Sequence, residues 1–214
     1  MGMEAMNPMV LTVILIVVLV DLFVLAIVVR YTRERKERDK QLKNRIEAQG
    51  YRYVGPKDIA FEKEFSKKFA KLNPYFKWKK LMVKNISTFP DQDSQVLFFE
   101  LTVTAENYRK KYLCLLHENF TSQLPDCSVV PRPPLSALFS KSKAAFDRSY
   151  KVIPTEASEN IPEDLKQQIL RYKRISVILT KGSLLITKEY ERHEDLFRAL
   201  NICQEILDIL RMYD

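Results

Sequence analysis

The chain has 214 residues, with 35 Lys and Arg against 27 Asp and Glu, and a formal charge of +8. Its four glycines are scattered and its three cysteines are not closely spaced. That excludes phosphate-cradling glycine loops, zinc knuckles and a disulfide framework.

Residues Val10 to Val29 form a run of twenty, seventeen of them Val, Leu, Ile or Phe. A helix crossing a bilayer needs about 20 such residues. Their insertion sums to on the order of −5 to −10 kcal/mol, against about +2.5 to +3.5 for the one charge, Asp21. The run is therefore expected to be a transmembrane helix. A cleaved leader is disfavoured: no Lys or Arg precedes the run, and Arg30 and Tyr31, not a small-residue cleavage site, follow it. Met6 stands where a myristoylation signal wants Ser or Thr.

Asp21 lies near the bilayer centre, sharing a helical face with Val17, Val18, Val24, Leu25 and Val28. That face has no Gly or Ser for close helix packing. Two readings stay open: contact with another membrane helix, or a protonated Asp tolerated in a simple anchor.

After the span come Arg30, Arg33, Arg35, Lys36, Arg38, Lys40, Lys43 and Arg45. Positive flanks stay cytoplasmic, which places the N-terminus outside and the large domain inside. Arg30, Arg33, Arg35 and Lys36 are candidate contacts to anionic lipid headgroups. The sequons at Asn85 and Asn119 would argue the opposite topology, and are read as unused. Residues 30–50 are expected to form a basic juxtamembrane helix stopped by Gly50, with Glu34–Arg38 and Asp39–Lys43 pairs. Leu42 and Ile46 give it a ridge too short for a coiled coil.

Gly55-Pro56 marks a turn, and Lys57 to Leu72 reads as a helix with Ile59, Phe61, Phe65, Phe69 and Leu72 near one face. The stretch Lys63 to Lys84 carries eight lysines interleaved with Tyr75, Phe76 and Trp78. Lys77, Trp78, Lys79 and Lys80 are candidate headgroup contacts; the competing reading packs the aromatics in the core beneath solvated lysines. Strands follow at Leu81 to Ser87, Gln95 to Thr104 and Lys111 to His117, a meander. Pro131 to Pro134 reads as a connector. Asn160 is expected to cap a helix with Pro162 in its first turn and Glu163 reaching back. A hairpin turns at Lys181-Gly182, and a final helix runs from about Arg192 to Met212.

The expected class is α+β: a transmembrane helix, then helices packed on one face of a mainly antiparallel sheet. The divisions are residues 1–9 as an extracytoplasmic tail, 10–29 as the span, 30–50 as the stem and 51–214 as a cytoplasmic domain.

Catalytic signatures are missing. Cys114 and His117 are three apart on one strand and point to opposite faces. His193-Glu194-Asp195 lacks the second histidine of a zincin, and no G-x-S-x-G elbow occurs. No catalytic residue, metal site or cofactor is assigned.

Three pieces carry a resemblance: Arg33 to Tyr53 (RERKERDKQLKNRIEAQGYRY), Leu124 to Val129 before a proline, and Phe146 to Val152. On these the chain resembles a group of uncharacterised prokaryotic single-span membrane proteins with a basic stem and a C-terminal α+β domain. The resemblance covers most of the chain in order, on short motifs. It implies a single-domain architecture and no activity, cofactor or site.

The functional expectation is a membrane-anchored, non-enzymatic interaction or scaffolding domain. The alternatives are a small subunit of a membrane complex docked through Asp21, and a membrane-surface enzyme without a recognisable motif. Expected partners are the bilayer, anionic headgroups and a membrane protein; nucleic acid is not expected, since no reader module appears.

Overall fold

The computed structural model describes residues 8–69, 80–89, 96–106, 108–133, 144–180, 182–190 and 196–213. The chain divides into two compact units, one up to Arg45 and one from Ile46 onward.

In the first unit, helix α1 (Pro8–Ala48) begins and carries the apolar run. One stretch of it is long and apolar enough to cross a membrane. From Ile14 to Val29 its large apolar side chains are 44–68% exposed.

The second unit takes over at the helix's last turn. Gly50 N–H donates to the Glu47 carbonyl (3.0 Å) and Tyr51 N–H to the Ile46 carbonyl (3.1 Å). This is a Schellman ending, and it needs the left-handed backbone that Gly50 adopts at φ +84°. Its apolar ends are Ile46, which is fully buried, and Tyr51, whose ring meets Phe89 and Phe98 edge-on.

Eight strands among the described residues form one sheet in the order β1-β2-β3-β4-β8-β7-β5-β6. They are β1 (Arg52–Gly55), β2 (Lys80–Thr88), β3 (Val96–Ala105), β4 (Tyr108–Glu118), β5 (Cys127–Pro131), β6 (Tyr150–Ile153), β7 (Ile175–Thr180) and β8 (Ser183–Tyr190). Every pairing is antiparallel. The helices are α2 (Ile59–Phe69), α3 (Ala145–Ser149), α4 (Glu163–Tyr172) and α5 (Leu196–Arg211). The fold is α+β.

Helices cover both faces of the sheet, not one. On the first face Phe61 and Phe65 of α2 pack on Phe99, beside Val83, Leu101, Cys114 and Leu185. The second face lies under α5, whose Ala199, Leu200, Ile202, Cys203, Ile206, Leu207 and Leu210 are buried. Gln204 of α5 also reaches the Tyr51 hydroxyl at 3.0 Å. The reason is legible in β3: Val96 to Val103 is nearly continuous in apolar residues, the mark of a strand with both faces covered.

The β2 edge is closed beyond β1. A register shift at Gly55 ends β1 pairing, and two outward N–H groups find other acceptors. Asn85 N–H donates to the Pro56 carbonyl (3.2 Å), and Val83 N–H to the Glu62 carboxylate of α2 (2.9 Å). An open strand edge invites unwanted pairing, so this capping protects the sheet.

The expected Asn160 cap is not formed. Thr155–Asn160 winds into its own 3-10 turn, and α4 starts after Pro162 with no side-chain cap. Lys166 N–H bonds the Pro162 carbonyl, which makes Pro162 the capping position. At the other end of α4, Lys173 (φ +52°) and Arg174 (φ +49°) turn the chain into β7, with Glu189 N–H bonding the Arg174 carbonyl. Lys181, and the residues from Glu191 to Asp195 where the last helix was expected to begin, lie outside the described residues.

Candidate functional site

Two surfaces stand out. The first is the exposed apolar length of α1. Asp21 sits within it, exposed, between side chains such as Val17, Val18, Val24, Leu25 and Val28. Thr32 Oγ1 donates to the Val28 carbonyl (2.7 Å) at its C-terminal end. Arg30 follows, with Nε 2.8 Å from the Glu34 carboxylate. Arg33 and Lys36 are exposed, and the Arg35 side chain lies outside the description. Arg30–Glu34 is an i,i+4 ion pair on this helix with both side chains well exposed, and such a pair adds little stability.

The second surface is a corner of the sheet. Of the four headgroup candidates there, Lys77, Trp78 and Lys79 lie outside the described residues, and Lys80 opens β2. Directly paired residues of an antiparallel sheet point to the same face. The register aligns Lys80 with Thr104 and Thr104 with Arg109; Met82 with Thr102, Lys111 and Tyr190; and Lys84 with Glu100. One face therefore presents Lys80, Lys84, Arg109 and Lys111 around Thr102, Thr104 and Glu100. Lys80, Thr104 and Arg109 are exposed; Lys84, Glu100 and Lys111 are half-buried.

Glu100 is the organised centre of this corner. Its carboxylate accepts from the Tyr190 hydroxyl and from Asn85 Nδ2, the latter at 2.5 Å. Asn85 Oδ1 in turn accepts from the Tyr53 hydroxyl at 3.1 Å. Asn85 reaches this position from a left-handed backbone, φ +53°, at the β2 bulge. Four strands thus meet in one hydrogen-bonded chain, and the Asn85 amide is buried and engaged. On the opposite face Glu189 is held by Lys110 at 3.0 Å, with Arg174 at 3.9 Å. The carboxylates of Glu100 and Glu189 are therefore engaged.

Sequence reasoning found Lys80 but missed its neighbours. A signal was available: Lys80, Met82 and Lys84, then Glu100, Thr102 and Thr104 alternate with Leu81, Val83, Leu101 and Val103 in two successive strands, and Arg109 and Lys111 follow at the same spacing in the third. Reading that pattern as one surface needs the register.

The groups with nucleophilic potential are set apart. Cys114 is buried among Phe99 and Leu185, while His117 turns to the other face, its Nδ1 2.8 Å from the Glu118 carbonyl and its ring against Phe120. Desolvation holds the thiols in their protonated form. It raises Cys114, pushes Cys127 up to about 11, and pushes Cys203 up to about 12. No group of three His, Cys, Asp or Glu side chains able to hold a metal ion occurs among the described residues. Ser87 Oγ and Thr187 Oγ1 are buried hydroxyls without a hydrogen-bond partner among the described residues. In comparison with known proteins, the chain matches no family model, no curated protein and no solved structure.

Proposed function

We propose that the protein is a membrane-anchored, non-enzymatic interaction or scaffolding domain, held at the cytoplasmic face by α1. The observation that carries this reading is the row of apolar side chains from Ile14 to Val29, 44–68% exposed along one helix. In water such a surface is costly, at roughly 25 cal/mol per Å². In a hydrocarbon core it is matched. The basic residues from Arg30 to Arg45 support an orientation with the larger unit inside.

The buried native thiols make a topology test clean. Single cysteines introduced at Ala5 and at exposed Ser149 are labelled on intact cells with an impermeant maleimide. The Ala5→Cys variant is expected to label from outside, and Ser149→Cys only after lysis. External labelling of Ser149→Cys, or release of the chain from membranes by alkaline wash, overturns the reading.

Asp21 supports a second reading, a small subunit docked in a membrane complex. A carboxylate amid so much exposed apolar surface is best matched by a polar partner on a neighbouring helix. Under it, Asp21→Leu reduces the size of the detergent-extracted assembly; an unchanged size rejects it.

A further inference from the structure

We infer that the cationic corner formed by Lys80, Lys84, Arg109 and Lys111 is a docking surface for the anionic headgroups of a lipid leaflet. This deepens the reading of the chain as membrane-anchored and rests on it. The register puts these four cations on one face of β2, β3 and β4. Strands lie about 4.8 Å apart and residues about 3.3 Å apart along them, so Lys80 and Arg109 stand roughly 10 Å from each other and Arg109 and Lys111 roughly 7 Å. The hydroxyl of Thr104, exposed between Lys80 and Arg109, adds a donor.

Glu100, the carboxylate on this face within β3, has both oxygens engaged by Asn85 and Tyr190. Through Asn85 and Tyr53 these hydrogen bonds link β1, β2, β3 and β8 beneath the cations, which fixes the array.

The chemistry of the corner selects among anionic occupants. A protein partner docks through buried apolar or aromatic anchors. The exposed large apolar side chains described in this unit, Val54, Ile59 and Met212, lie off the corner. Single-stranded nucleic acid docks through aromatic rings on which bases stack. Among the described side chains of the corner the aromatic one is Tyr190, which is only 9% exposed and engaged with Glu100. A headgroup layer asks only for clustered positive charge on an open surface. Within the second unit the corner also lies away from the Schellman turn. Tyr51 packs at the Thr88 end of β2, eight residues or roughly 26 Å from Lys80.

The test uses the full chain in lipid nanodiscs. Thr104→Cys places a fluorophore in the corner, and Glu118→Cys places one at the exposed opposite end of β4; the native thiols are buried. Discs of phosphatidylcholine, with or without phosphatidylglycerol, carry a headgroup nitroxide quencher. The expected result is quenching at position 104 in anionic discs, little in neutral discs, and none at position 118. High salt removes it, and each of Lys80→Gln, Arg109→Gln and Lys111→Gln lowers corner occupancy about fivefold. Native-like circular dichroism in each variant separates lost charge from lost fold.

Equal quenching at both positions, or quenching at 104 that ignores lipid charge, overturns the inference. So does capture of a single-stranded oligonucleotide in neutral discs with the same three-residue dependence, which assigns the corner to nucleic acid. A chain that fails to enter the discs condemns the anchor reading instead, so the two failures are distinct.

Discussion

At the scale of single residues, Asn85 carries the most structural consequence in the corner. It lies at the β2 bulge with φ +53°, and its amide links Tyr53 to Glu100. Asparagine tolerates the left-handed region because its short side chain bonds locally, whereas alanine there costs about 1–2 kcal/mol. Asn85→Ala also strips a hydrogen bond from a half-buried carboxylate, about 1.5–3 kcal/mol more. Asn85→Gly loses the same bonds without the backbone cost. Urea unfolding in detergent is expected to place the alanine variant about 1 kcal/mol below the glycine variant. Equal midpoints would show that the backbone at this position is not strained. The sequence showed Asn85 inside a strand, and that much holds. Period-2 alternation carries no information about a register shift, so neither the bulge nor the left-handed turn was visible in it.

At the scale of elements, legibility followed length and periodicity. The strands about Leu81, Val96 and Lys111, the Ile175 to Lys188 hairpin and the C-terminal helix were each marked by long runs of one period. The strands β1, β5 and β6 were not, because four or five residues hold no pattern of their own. Their identity comes from the ladders they join: β5 is a strand because Val129 sits between Val152 and Val177. The Asn160 cap misled for a similar reason, since a second local structure, the 3-10 turn, competed for the same residue. Gly50 was read correctly as the helix stop, and the structure adds its mechanism. A Cβ at Gly50 meets nothing within 4 Å, so substitution costs backbone conformation alone. Gly50→Ala is expected to lower stability by about 1 kcal/mol, and Gly50→Asn by less, as read from thermal unfolding midpoints. A larger loss would mean that the Schellman ending governs more than the local turn.

At the scale of the whole molecule, the sequence boundary and the physical one differ by one helical turn. Composition divides the chain after Gly50, where the charge-rich helix stops. The compact unit instead begins at Ile46, because that residue is fully buried and Tyr51 packs on Phe89 and Phe98. Charge density conceals this: Ile46 sits between Arg45 and Glu47, and a lone apolar residue among charges reads as surface until its neighbours in space are known. The consequence is measurable on excised pieces. One starting at Ile46 keeps the Schellman turn, the buried isoleucine and the Gln204 bond to the Tyr51 hydroxyl. One starting at Arg52 loses all three and leaves Phe98 with an open flank. Removing a buried aliphatic side chain alone costs about 2–5 kcal/mol, and an aromatic one about 3–5. Ring contacts at 5.0 and 5.1 Å put Tyr51 within reach of that range. The shorter piece is therefore expected to unfold at least about 4 kcal/mol more readily in urea, or to fail to fold. If both pieces unfold at the same midpoint, the last turn of α1 belongs to the stem, and the core begins where the charges end.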